Sequence, residues 1–138
     1  MKYMIMLYGS QRDYDAMEGK DTGDRAAWTP EQLQEMSEFM GTFNQELIDS
    51  GEFVDGQGLT APVHTRRITG MKDGAPIVTE GPYAETTEVL VGFNIIDVAS
   101  FDRAVELAAR ITQCPGPDGM GGQYVDVRPI DEGPGADE

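Results

Sequence analysis

The chain has 138 residues, enough for one domain with a substantial core, and its formal charge of −15 argues against nucleic acid or an anionic membrane as partner, since both need a basic footprint. Its one cysteine, Cys114, rules out an internal disulfide and a thiolate metal cluster within the chain, which suits a reducing compartment. No apolar run approaches a membrane span, and the apolar part of the opening MKYMIMLYGS is too short for a secretory leader, so a soluble, cytoplasmic protein is expected.

Tyr3 to Tyr8 (YMIMLY) is apolar at odd and even positions alike, the pattern of a central strand covered on both faces. Gly9 ends it. Ser10 to Trp28 is polar, charged and without a clear period, and is expected to be a mobile connection or a functional lid. Trp28, the only tryptophan, is expected to anchor that loop, with ligand stacking as the alternative.

A helix start follows. Thr29 is the N-cap, Pro30 takes the first helical position, and Gln32 completes a capping box. Leu33, Met36, Met40, Phe43 and Leu47 recur at spacings of three and four and form one apolar stripe. On this spacing the methionines read as core filler. Gly51 ends the helix. Glu52 to Thr60 reads as a strand in which Gly56 and Gly58 mark a bulge or a close backbone approach. Val63 to Thr69 reads as a further strand, Asp73-Gly74 as a hairpin turn, and Pro76 to Thr79 as the returning strand. Val89 to Val98 is a long buried strand with Gly92 at a bend or contact point.

Ser100 caps a second helix whose inner stripe is Ala104, Leu107, Ala108 and Ile111. Pro115 to Gly122 is a loop dense in glycine and proline. Gln123 to Ile130 is a last strand, with Val125 and Val127 on one face and Tyr124, Asp126 and Arg128 on the other. Residues 1–130 thus form one domain, and the acidic tail 131–138 is expected to be disordered. The order is β-α-β-β-α-β, an α+β ferredoxin-like subunit with an antiparallel sheet and two helices on one face. Two helices cover only one face, so the other is expected to pack on a second copy in a two-fold homodimer, sheet to sheet.

The stretch from Glu80 to Glu88, EGPYAETTE, followed by Gly92-Phe93, resembles the signature of the DGPF branch of YCII-related proteins. KYMIMLY at the start, Gly51 to Leu59, Phe101 to Arg110 and the VDVRPI ending are also similar to that family. The pattern has Asp where Glu80 stands, Phe where Tyr83 stands and Lys where Thr87 stands, so a role that needs that lysine does not carry over. The resemblance implies a dimeric α+β barrel. It leaves the reaction open, since related barrels include lactone isomerases, dehalogenase-like lyases and cofactor-free monooxygenases. A genomic setting beside sigma-factor genes in similar members implies a regulatory alternative.

His64, the only histidine, is the default proton-transfer group by its ordinary pKa, against the reading of a surface or hydrogen-bonded strand residue. Glu80, Glu85 and Glu88 could form an acid–base set; alternatively Glu85 and Glu88 could hold the turn by pairing with Arg66, Arg67 or Arg128, and Glu80 could satisfy the backbone N–H groups that follow it. Arg66 and Arg67 point to opposite sides of a strand, so one could receive an anionic group. Tyr83 and Tyr8 complete the expected substrate-binding set. No metal site and no cofactor motif is visible: GxSxG, a Walker loop and CxxC are all absent. The expectation is a cofactor-free enzyme acting by general acid–base chemistry on a small organic molecule, with an anionic one among the options, or a non-catalytic binding or regulatory module.

Overall fold

The computed structural model describes residues 1–23, 26–117 and 124–134. Its elements are β1 (Lys2–Gly9), α1 (Gln11–Met17), α2 (Pro30–Ser50), β2 (Phe53–Gly58), β3 (Arg66–Lys72), β4 (Ala75–Glu80), β5 (Val89–Asp97), α3 (Phe101–Ile111) and β6 (Val125–Pro129). The main sheet has the order β2-β5-β1-β6 and is antiparallel at every pairing. That is the ferredoxin-like arrangement, with β3 and β4 inserted as a separate two-stranded sheet.

β1 is central because both of its edges are paired. Tyr3, Ile5 and Leu7 point toward the helices, where they meet Ile96 of β5 and Val125 and Val127 of β6. Phe43 and Leu47 of α2 and Ala104, Leu107, Ala108 and Ile111 of α3 close the core over them. The small residues of α3 bring it near the sheet, and the ring centroids of Tyr3 and Phe101 are 4.9 Å apart.

The α2 start is as the capping pattern predicts: Thr29 and Gln32 bond reciprocally and Pro30 occupies the first turn. Gly51 closes the helix at φ 79°, a left-handed conformation that favours glycine. Glu52, just beyond, takes a two-pronged hydrogen bond from Arg103 of α3, at 2.9 Å on each oxygen, which ties the connection after α2 to α3. Arg103 holds the Glu52 carboxyl below its ordinary range. Gly92 is a contact point: a Cβ there would lie 3.2 Å from the Gln57 carbonyl of the neighbouring strand.

Two expectations are corrected. Ser10 to Trp28 is not a plain loop, because it contains α1, capped by a reciprocal box between Ser10 and Asp13. Strand β3 starts only at Arg66, because Pro62 to His64 forms a 3-10 turn with Thr65 N bonded to Pro62 O. The Asp73-Gly74 turn is as expected, with φ of 52° and 80°, both positive as a type I′ hairpin requires. Of the expected last loop and last strand, residues 118–123 lie outside the described residues, as do 135–138 of the tail.

Leu107 is fully buried and Val105, two positions earlier, is half-exposed. Leu107→Ala is expected to cost about 2–5 kcal/mol in urea denaturation, through lost transfer energy and the void left behind. Val105→Ala should stay within about 0.5 kcal/mol.

Candidate functional site

The β1–β5 ladder is regular from Lys2 to Leu7 and slips between Leu7 and Tyr8. Such a bulge twists the sheet locally and re-aims the side chains beside it. At this end of the sheet lies a cavity of about 490 Å³, within the size range of small-molecule sites. Its walls come from the ends of β1, β2 and β5, from α1 and Trp28, from the middle of α2, and from the segments around α3 and β6. Leu7, Met17, Trp28, Met36, Met40, Leu59, Val91 and Ile111 are among its apolar lining residues.

The polar lining groups are few, and most are engaged. Asp13 is buried, and its Oδ2 accepts from Ser10 N at 2.9 Å and Ser10 Oγ at 3.1 Å. That carboxylate is therefore a helix cap. Tyr14 donates its hydroxyl to Leu59 O at 2.7 Å, tying α1 to the end of β2, and burial raises its pKa. Cys114 is half-buried, and burial likewise pushes its thiol up, away from the reactive thiolate. Asn94 of β5 donates Nδ2–H to Asn44 Oδ1 of α2 at 2.8 Å. The described lining residues include no arginine, lysine or histidine.

Two tyrosines, Tyr8 and Tyr124, also line the cavity, with ring centroids 5.4 Å apart. Each donates its hydroxyl to a carboxylate: Tyr8 to Asp126 at 2.8 Å, and Tyr124 to Glu88 at 3.0 Å. Those hydrogen bonds raise both phenol pKa values, because losing the proton would leave two anions in contact.

The segment from Glu80 to Glu88 lies beside this cavity. Glu80 and Arg66 face each other across β3 and β4, with a 3.8 Å ion pair that is largely exposed. Gly81, at φ 54°, donates its N–H to Thr65 O. Arg67 lies over the Tyr83 ring, 5.0 Å from its centroid. Glu85 uses its backbone carbonyl to receive Arg12 N of α1 at 2.9 Å. His64 is exposed in the 3-10 turn. The structure thus pairs Arg66 with Glu80, Arg67 with Tyr83 and Glu88 with Tyr124. Of the eight residues singled out in the sequence, only Tyr8 lines the cavity. Among the described residues no group of three His, Cys, Asp or Glu converges as a metal site would require.

A family model described as the YCII-related domain matches residues 1–116. The chain belongs to the YCII-related family. It is also similar to an uncharacterized protein of Rhizobium meliloti (strain 1021), 28% identical over 110 residues that cover 80% of this chain and 85% of the relative. Among its described residues, this YCII-related chain has no helix long and apolar enough to cross a membrane.

Sequence reasoning missed most of the YCII-related chain's cavity lining. Met36 and Met40 carried the helical period of a core stripe, and nothing in that period tells a filled core from a hollow one. Ser10-x-x-Asp13 was a legible cap signal for α1, and so for the wall that α1 contributes.

Asp126→Asn replaces the carboxylate partner of Tyr8 with a neutral amide. The Tyr8 phenol should then ionise nearer its ordinary pKa of about 10. An ultraviolet difference titration of wild type against variant should show one phenol ionising earlier in the variant, and identical curves would contradict this assignment.

Proposed function

We propose that the protein is a small cofactor-free enzyme that takes a small, mostly apolar organic molecule into this cavity. The observation that carries the reading is the cavity itself, of about 490 Å³, apolar over most of its wall and crossed by a few polar groups. That is the usual composition of a ligand site, in which apolar surface supplies affinity and isolated polar groups supply orientation. The absence of cations among the described lining residues favours a neutral molecule over an anionic one. Arg66 and Arg67 stand on the hairpin and would serve an anionic group only outside this cavity.

General acid–base chemistry would fall to Tyr8 and Asp126. The phenol donates to the carboxylate and keeps its oxygen lone pairs for a substrate proton. As that oxygen takes a proton from substrate, its own proton passes to the Asp126 carboxylate it is bonded to. Tyr124 and Glu88 form the matching pair beside it. The raised phenol pKa keeps Tyr8 protonated and ready for this exchange at neutral pH.

The working unit in this proposal is a homodimer packed through the face of the sheet away from the helices. Met4, Met6 and Ile95 lie on that face and stay partly exposed in the single chain. The hairpin adds Ile68 and Met71, at 60% and 66% exposure. Apolar groups at that density favour a covered surface. The second reading is a non-catalytic binding module. The engagement of Asp13 and Tyr14 in structural hydrogen bonds favours it, since it removes two otherwise obvious catalytic groups from the wall.

Trp28 lines the cavity and is the only tryptophan, so its emission reports occupancy. Ethylbenzene should change that emission saturably, and Met36→Phe, which fills part of the space, should weaken binding by about tenfold. No saturable change with ethylbenzene would contradict the cavity reading. For a substrate that is turned over, Tyr8→Phe should lower kcat by about 10²–10⁴-fold and leave KM nearly unchanged. An unaltered kcat would overturn the assignment of proton transfer to Tyr8.

A further inference from the structure

Asn94 sits in the middle of β5, on the face that otherwise builds the apolar core, and is only 4% exposed. An amide in such a place is costly unless its groups are hydrogen-bonded. Its one side-chain hydrogen bond among the described residues is Nδ2–H to Asn44 Oδ1 at 2.8 Å. No described residue donates to Asn94 Oδ1 or accepts from Asn44 Nδ2. Flipping both amides leaves the same outcome, with one carbonyl oxygen and one NH₂ group unused. Both residues line the cavity. Gly56 of the adjacent strand makes room for them, since a Cβ there would lie 3.4 Å from Asn94 Nδ2. The unused carbonyl oxygen and NH₂ group of the pair are therefore available to a molecule in the cavity.

We propose that Asn44 and Asn94 form the polar recognition element of the cavity, and that they select a neutral head group carrying an acceptor beside a donor, such as a carboxamide, on an apolar body. This inference rests on the cavity being the ligand site. An Asn44 N–H donates to the ligand carbonyl, and the ligand N–H or O–H donates to Asn94 Oδ1. A carboxylate fits poorly. It has no proton for Asn94 Oδ1, and the described lining offers no cation to offset its desolvation.

The test uses benzamide, benzoate and ethylbenzene as probes, with ¹⁵N-labelled protein so that side-chain amide resonances are read directly. Benzamide should shift the Asn44 and Asn94 side-chain signals, and benzoate should bind at least about tenfold more weakly. Asn44→Ala should weaken benzamide by about tenfold and leave ethylbenzene affinity unchanged. Asn44 lies on the half-buried face of α2, so this variant spares the strand, and Asn94→Leu provides the second check. Equal binding of benzamide and benzoate would overturn the inference, as would equal losses for benzamide and ethylbenzene in Asn44→Ala. Ethylbenzene binding without benzamide binding would remove this inference and keep the cavity site. Failure of all three probes would remove both.

Discussion

The register of β1 against β5 is the constraint on which the rest depends. Six regular pairs from Lys2 to Leu7 would be enough to hold a sheet, but this ladder also sorts side chains. It sends Tyr3, Ile5, Leu7, Gly92, Asn94 and Ile96 toward the helices and Met4, Met6 and Ile95 away. A slip of one residue would exchange the two sets and bury the wrong one. Where the ladder does slip, between Leu7 and Tyr8, the tight core ends and the cavity begins. The lower half of the sheet is packed by α3 and the C-terminal half of α2. The upper half is faced by methionines, Trp28 and α1, which leave space.

The segment from Glu80 to Glu88 acts on that space from outside. Its carbonyl at Glu85 holds the start of α1, and its carboxylate at Glu88 holds Tyr124. Gly81 fastens it to Thr65 at the base of the hairpin. One short turn therefore ties together the hairpin, α1 and the approach to β6, before the chain enters β5. Its ion pair between Arg66 and Glu80 is too exposed to carry much stability. The backbone contacts and the positive φ of Gly81 are the stronger constraints, and they ask for this residue type more firmly than the charges do.

The fold was largely legible because its signals are local. Thr29-Pro30-x-Gln32, Gly51, Ser100 and Asp73-Gly74 each mark an element boundary by a backbone need, and each is used so in the structure. The paired apolar faces of Tyr3 to Tyr8 marked the central strand. The 3-10 turn at Pro62 was less legible, since Val63 to Thr69 has strand composition and only the preceding proline argues otherwise. The site was less legible still. Its walls come from seven elements and meet only through tertiary packing, so no spacing in the chain announces them. A conspicuous motif drew attention to Glu80, Tyr83 and Glu85, whereas the amide at Asn94 stood unremarked inside VLVGFNIIDV. A polar residue in the middle of a buried strand was the available signal.

The central claim is that ligand enters the space between α2 and the sheet, not the surface around the hairpin. Eight methionines are spread through the chain, and Met17, Met36 and Met40 line the cavity while Met71 lies on the hairpin. Methyl resonances of ¹³C-methionine protein, followed during titration with ethylbenzene, separate the two places directly. The account predicts shifts and ligand contacts at Met17, Met36 and Met40, with Met71 unmoved. Contacts confined to Met71, or to Met4 and Met6 on the opposite face, would contradict it.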